Sequence, residues 1–208
     1  MDRRYIMKKT LCIATRNLHK VQEMAPTLAP FWEVKSSADY PEVEEIEETG
    51  DTFLANAELK AVTTSRFVAD YVLADDSGLE ADALDGAPGV FSARYGGIPS
   101  STEKNNAKLL QELTRVNALT AQQRAGRYRC VLVLAKAGEV LATFEGVCEG
   151  MITTAPKGMG GFGYDPLFIP QGYARTFGQL GEKTKTTLSH RGVALKKFVA
   201  WCKGNPLE

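Results

Sequence analysis

The sequence predicts a mixed α/β fold built on one central sheet, and three observations carry that prediction. In the first half, short apolar runs alternate with segments whose apolar residues keep helical spacing. In the second half, two long strand-like runs flank a turn signal at Gly138, which predicts an antiparallel hairpin. The chain has 208 residues, 44% hydrophobic and 24% charged, an ordinary globular composition at the length of one domain. Alternation implies parallel pairing and a hairpin implies antiparallel pairing, so the sheet is expected to hold both. A single domain over 1–208 is expected, with residues 1–9 a flexible extension in which Met7 is an alternative start.

Leu11–Ala14 is a short apolar run and predicts a buried strand. Asn17 is placed to cap the next helix, where Val21, Met24, Ala25 and Leu28 share a face and Pro26 and Pro30 set a limit. Phe31–Val34 predicts a second strand. An acidic stretch from Glu42 to Glu48 follows. Asp51 or Thr52 then caps a helix over about 53–67. Tyr71–Ala74 predicts a buried strand ending at Asp75-Asp76-Ser77-Gly78, and the Gly- and Pro-punctuated stretch 85–101 predicts loop. Thr102 is expected to cap a helix to about Leu113. Arg127–Lys136 and Val140–Cys148 form the hairpin, 150–163 is a glycine-rich loop, and Ser189 caps a last helix to about Lys203.

Charge and cysteine usage narrow the function classes. Lys plus Arg and Asp plus Glu are 25 each, so the net charge is zero. Binding long nucleic acids draws on many phosphate contacts and a basic excess; a polymeric nucleic-acid partner is therefore not expected, while a small anion in one local site remains compatible. Cys12, Cys130, Cys148 and Cys202 form no CxxC pair, and a core of this size needs no bridges, which predicts reduced thiols and a cytoplasmic location. No apolar run reaches the roughly 20 residues of a membrane span, and the basic start lacks a secretory apolar segment.

Four constellations can carry chemistry. Thr15-Arg16-Asn17-Leu18-His19-Lys20 lies where a strand gives way to a helix; it reads either as an anion cradle or as a plain helix cap with a solvated lysine. Asp75-Asp76-Ser77-Gly78 offers two adjacent carboxylates, of which strand alternation turns at most one toward a given ligand; oxygen donors suit Mg²⁺, and Asp-Ser-Gly is also good turn chemistry. Gly158–Pro166 contains a literal GxGxxG, but Pro166 prevents it from opening a helix, so it is no dinucleotide fingerprint, and no P-loop is present. That loop presents Phe162, Tyr164 and Asp165, a stacking ring and a carboxylate for a base, or else core aromatics of a long connection. Lys185 and Ser189-His190-Arg191 add cations near a helix start, where Arg191 opposes the dipole. The glutamates 42–48 read first as a solvated face, one of which can supply a second metal carboxylate.

Taken in order, these segments resemble the inosine triphosphate pyrophosphatases, the RdgB-type enzymes that remove non-standard purine nucleotides. The matching pieces are Ala14–Val21, Glu45–Phe53, Asn56–Ala61, Ala74–Leu79, Gly86–Val90, Ser92–Tyr95, Gly160–Pro166 and Ser189–Gly192, spanning about 10–203. The resemblance implies an elongated mixed sheet flanked by helices, with the hairpin as a lobe and a cleft between two lobes. It implies that Thr15, Arg16, Asn17, Leu18, His19 and Lys20 bind the triphosphate, and that Asp76 is general base and Mg²⁺ ligand. It makes Ser77 a substrate contact and Glu47 the second metal carboxylate. It assigns the purine to Phe162, Gly163, Tyr164, Asp165, Lys185, His190 and Arg191. Arg16 departs from the small or polar residue typical of the family, and its role stays open. A homodimer is implied, with 85–101 the candidate contact. The rival readings are a Maf-type pyrophosphatase of modified nucleotides and a nucleotide-binding module without turnover.

Overall fold

The computed structural model describes residues 8–205 and 207; the expected extension lies outside them up to residue 7. The strands are β1 (Thr10–Ile13), β2 (Glu33–Ser36), β3 (Tyr71–Ala81), β4 (Ala125–Lys136), β5 (Glu139–Ile152) and β6 (Phe168–Pro170). The helices are α1 (Leu18–Leu28), α2 (Phe53–Thr64), α3 (Thr102–Arg115), α4 (Glu182–Leu188) and α5 (His190–Gly204). The strands form one sheet in the order β2-β1-β3-β4-β5-β6. β1 is parallel to β2 and β3, and every later pair is antiparallel. The expected mixture of pairings is present.

Local chemistry explains most boundaries. Asn17 caps α1, accepting from the His19 and Lys20 N–H groups; Thr52 caps α2 and Ser189 caps α5. α3 is capped by Ser101, one residue before the expected Thr102. Pro26 sits inside α1 instead of ending it, and the helix runs on to Leu28. The hairpin turns on Ala137 and Gly138, both at positive φ, a backbone twist that suits a two-residue hairpin connection. α4 arises in a stretch where no helix was expected.

The main correction concerns β3. It does not end at the acidic pair: pairing with β4 continues from Ser77↔Cys130 to Ala81↔Gly126. Asp75 and Asp76 therefore lie mid-strand. The ladder on β4 supplies the hydrogen bonds that an isolated Asp-Ser-Gly segment would otherwise seek in a turn.

Alternation along the sheet sorts the core into two layers. Leu11, Ile13, Leu73, Cys130, Leu132 and Leu134 pack under α1 and α5, against Met24, Leu28, Leu195 and Phe198. Cys12, Val72, Ala74, Val131 and Val133 pack under α2, against Phe53, Ala57 and Ala61. A third cluster joins Leu79, Tyr128, Tyr164 and Phe168 to Leu109 and Leu113 of α3, at the far end of the hairpin. All four cysteines are free.

Candidate active site

The period of two along β3 decides the fate of each acid. Asp75 shares the face of Leu73 and so meets the helices of that layer, α1 and α5. Its buried carboxylate pairs with Lys20 Nζ at 2.5 Å and with Arg191 Nε at 2.8 Å. Ser77 Oγ and Cys130 Sγ donate to it at 2.9 and 3.1 Å. Burial alone would raise the Asp75 carboxyl, but the Arg191 and Lys20 charges overcome it and hold it well below the usual carboxylate range.

Asp76 shares the face of Val72 and Ala74 and meets α2. Its Oδ1 accepts from Lys60 Nζ at 3.0 Å, while Oδ2 is buried without a hydrogen-bond partner. Lys60 also holds Glu48 Oε1 at 2.5 Å and the Asp75 carbonyl at 2.8 Å. Burial pushes the Asp76 carboxyl up to about 6; Lys60 opposes that shift and the nearby Glu48 charge adds to it. Glu48 itself is lowered, because Lys60 outweighs its desolvation.

Two cavities meet at Glu48. One of about 270 Å³ is lined by His19, Asp76, Tyr128, Phe162, Lys185 and Arg191, among others. Its neighbour of about 830 Å³ is lined by Thr15, Arg16, Glu47, Lys60 and Arg94, among others. Asn17, Lys20 and Glu48 line both. The first is aromatic and the second is a mixture of cations and carboxylates.

The aromatic cavity is built by the glycine-rich loop. Gly161 has φ +73°, and a Cβ there would meet Asp165 Oδ2 at 2.0 Å, so only glycine fits. That oxygen accepts from the Phe162 N–H at 2.7 Å, which closes the loop. Asp165 also takes Lys185, whose ammonium lies 4.4 Å from the centre of the Phe162 ring. Burial raises the Asp165 carboxyl despite Lys185. Tyr164 is buried, with its hydroxyl donating to the Ser92 carbonyl, and Gly163 offers its carbonyl to Asn106. Phe162 stacks on His19, ring centres 5.3 Å apart. His190 stacks on Tyr128 at 4.6 Å, and burial, followed by the Arg191 charge, keeps its imidazole neutral.

The remaining expected residues fall as follows. Thr15 Oγ1 accepts from the Asn17 N–H, and Asn17 in turn caps the helix, so the cap is realised, but Lys20 is paired with Asp75 and not solvated. Leu18 is exposed. Arg16 donates to the Val43 carbonyl at 2.6 Å, tying the acidic stretch to the end of β1. Glu42, Glu44, Glu45 and Glu47 are exposed, as a solvated face would be. Glu47 reaches only the larger cavity, whereas Glu48 lies at both and pairs with Lys60 and Arg94.

Three residues without an assigned role join the site. Lys60 had a readable signal: it sits in the buried stripe Phe53, Asn56, Ala57, Lys60, Ala61, Thr64 of α2, where a cation needs a partner. Glu23 on α1 bonds both Lys185 and Arg191, and no local pattern marks it. Tyr128 looks like an ordinary strand aromatic.

Among the described residues, no three or more His, Cys, Asp or Glu side chains gather into a metal cage. The donor set instead fits a hard cation completed by substrate oxygens: Asp76 has an unpartnered buried carboxylate oxygen at the aromatic cavity, Glu48 lies at both cavities, and Glu47 lies at the charged one.

The geometry has counterparts among known proteins. A model of the Ham1 family matches residues 11–201. A dITP/XTP pyrophosphatase from Desulforamulus reducens is 48% identical over 188 residues, 90% of this chain and 92% of that protein. One from an Exiguobacterium species is 49% identical over 191 residues, 91% and 95% of the two chains. The structure of a HAM1 protein from Coxiella burnetii superposes with a TM-score of 0.85 at 34% identity, covering 94% of this chain and 99% of that one.

Proposed function

The chain belongs to the Ham1 family, and from that premise we propose that it hydrolyses non-standard purine nucleoside triphosphates, inosine, deoxyinosine and xanthosine forms, to the monophosphate and pyrophosphate. The observation that carries the reading is the Asp76 carboxylate, with one buried oxygen unpartnered, in the wall of the aromatic cavity and held by Lys60, which lines the charged one. The relatives named above are dITP/XTP pyrophosphatases, which supports the same substrate class.

In this reading the purine enters the aromatic cavity and stacks on Phe162. Lys185 carries three N–H donors, two of which go to Glu23 and Asp165; the third is offered to a 6-oxo group. Adenine presents an amino donor at that position and leaves the ammonium unpaired, a loss that hydrogen-bonding sites exploit for discrimination. Lys20 and the start of α1 face the phosphates. Mg²⁺, held by Asp76 with Glu48 or Glu47, would neutralise phosphate charge and make water more acidic. Asp76 takes the proton of the attacking water, and Lys60 keeps that carboxylate aimed into the cavity. Attack at the α-phosphorus breaks its bond to the bridging oxygen. Pyrophosphate leaves, its charge met by Lys20. The chain works in the cytoplasm as a homodimer.

Pyrophosphate release across a panel of nucleoside triphosphates, with and without Mg²⁺, tests the reading. Release from inosine and xanthosine triphosphates at least about 100-fold faster than from adenosine triphosphate is expected. Equal rates on all purines, or a preference for modified pyrimidines, would reject it.

A further inference from the structure

Six ionisable side chains, acid and base in turn, run without a break from the glycine-rich loop to α1. Asp165 pairs with Lys185, Lys185 with Glu23, Glu23 with Arg191, Arg191 with Asp75, and Asp75 with Lys20. The ladder starts at the aromatic cavity and ends at the charged one. Asp75 is its junction. Arg191 Nε lies 2.8 Å from Oδ2, Lys20 Nζ 2.5 Å from Oδ1, and the Asp75 side chain is wholly buried.

A stability role explains this poorly. Burying two cations around one carboxylate costs desolvation, and an apolar set of similar volume usually serves a core as well. What the carboxylate adds is geometry. It fixes an arginine from α5 and a lysine from α1, 171 positions apart in sequence (191 minus 20), at one point of β3. Ser77 strengthens the lock, since its hydroxyl donates to Asp75 Oδ1 and accepts from Arg191 Nη2 at 2.8 Å.

We propose that Asp75 is a positioning residue that holds the base-side Arg191 and the phosphate-side Lys20 in one register, so that a correctly seated base places the α-phosphate for attack. The inference rests on the substrate class proposed above. It makes base selection appear in kcat as well as in KM, because a base that fails to engage leaves the phosphates out of register with Lys20.

The test is a double-mutant cycle on the full chain, reading pyrophosphate release from inosine and adenosine triphosphates with Mg²⁺. With Asp75 present, the kcat/KM losses of Lys20→Met and Arg191→Lys are expected to be non-additive: the double variant outperforms the product of the singles by about fivefold or more. Asp75→Asn is expected to lower kcat for the inosine nucleotide at least about tenfold and to reduce its preference over the adenosine nucleotide. Asp75→Glu, which restores the charge, should recover part of that preference. In the Asp75→Asn background the two cation losses should multiply. Multiplying losses with Asp75 intact would overturn the inference, as would an Asp75→Asn enzyme whose kcat falls equally on both nucleotides at unchanged KM. If Asp75→Asn does not fold, the cycle with Asp75 intact decides alone. A wild-type chain that releases no pyrophosphate would reject the function and this inference together; turnover with additive losses rejects only the inference.

Discussion

Two adjacent aspartates end in opposite electrostatic states because a strand turns neighbours to opposite faces. Asp75 is neutralised by Lys20 and Arg191, and its carboxyl is held low. Asp76 has one cation, a nearby glutamate and a bare oxygen, and its carboxyl is pushed up to about 6. Asp76→Asn should therefore lose turnover by about 10²-fold or more. It should also stabilise the metal-free protein by roughly 1–2 kcal/mol, since Lys60 keeps Glu48 and the Asp75 carbonyl as acceptors. The sign of the pH dependence follows. The folded state binds the Asp76 proton more tightly than the unfolded chain, so this group adds stability as pH falls from about 6 toward about 4. Chemical denaturation in chelator across that window should show the slope in wild type and lose it in Asp76→Asn; an unchanged slope would remove Asp76 as its source.

Helix starts bring the site's side chains together. α1 delivers Lys20 and Glu23 on successive residues of one face, three apart, and α5 delivers His190 and Arg191 in its first turn. Ser189 fixes the second of these by accepting from the Gly192 N–H at 3.1 Å. Ser189→Ala should cost about 1 kcal/mol in thermal unfolding and raise KM for the inosine nucleotide, because Arg191 follows the cap by two residues. A variant with lowered stability but unaltered KM would show that the ladder alone holds Arg191. These caps were readable from sequence, as were the hairpin and the buried β1. The mid-strand position of the acidic pair was not: Asp-Ser-Gly carries turn chemistry locally, and only the β4 ladder overrides it.

Across the whole molecule, the zero net charge is a sum of separated parts: an exposed acidic stretch, a buried alternating ladder and a cavity with cations at its wall. The 85–101 segment leaves Phe91 and Ile98 56% and 88% exposed, an apolar edge consistent with the expected homodimer. Sedimentation should find a dimer, and Phe91→Glu with Ile98→Glu should shift it toward monomer; a monomeric wild type would end that expectation. Local periodicity and motifs a few residues long were enough to read the mixed fold, the caps of α1, α2 and α5 and the glycine-rich loop from the chain alone. Only the tertiary structure decided which charges meet. Glu23 finds Lys185 and Arg191 at separations of 162 and 168 residues, and Asp75 finds Arg191 at 116. Lys60 reaches Asp76 only because α2 packs on one face of β3. Such pairings depend on how helices cover a sheet, and no spacing along the chain encodes them.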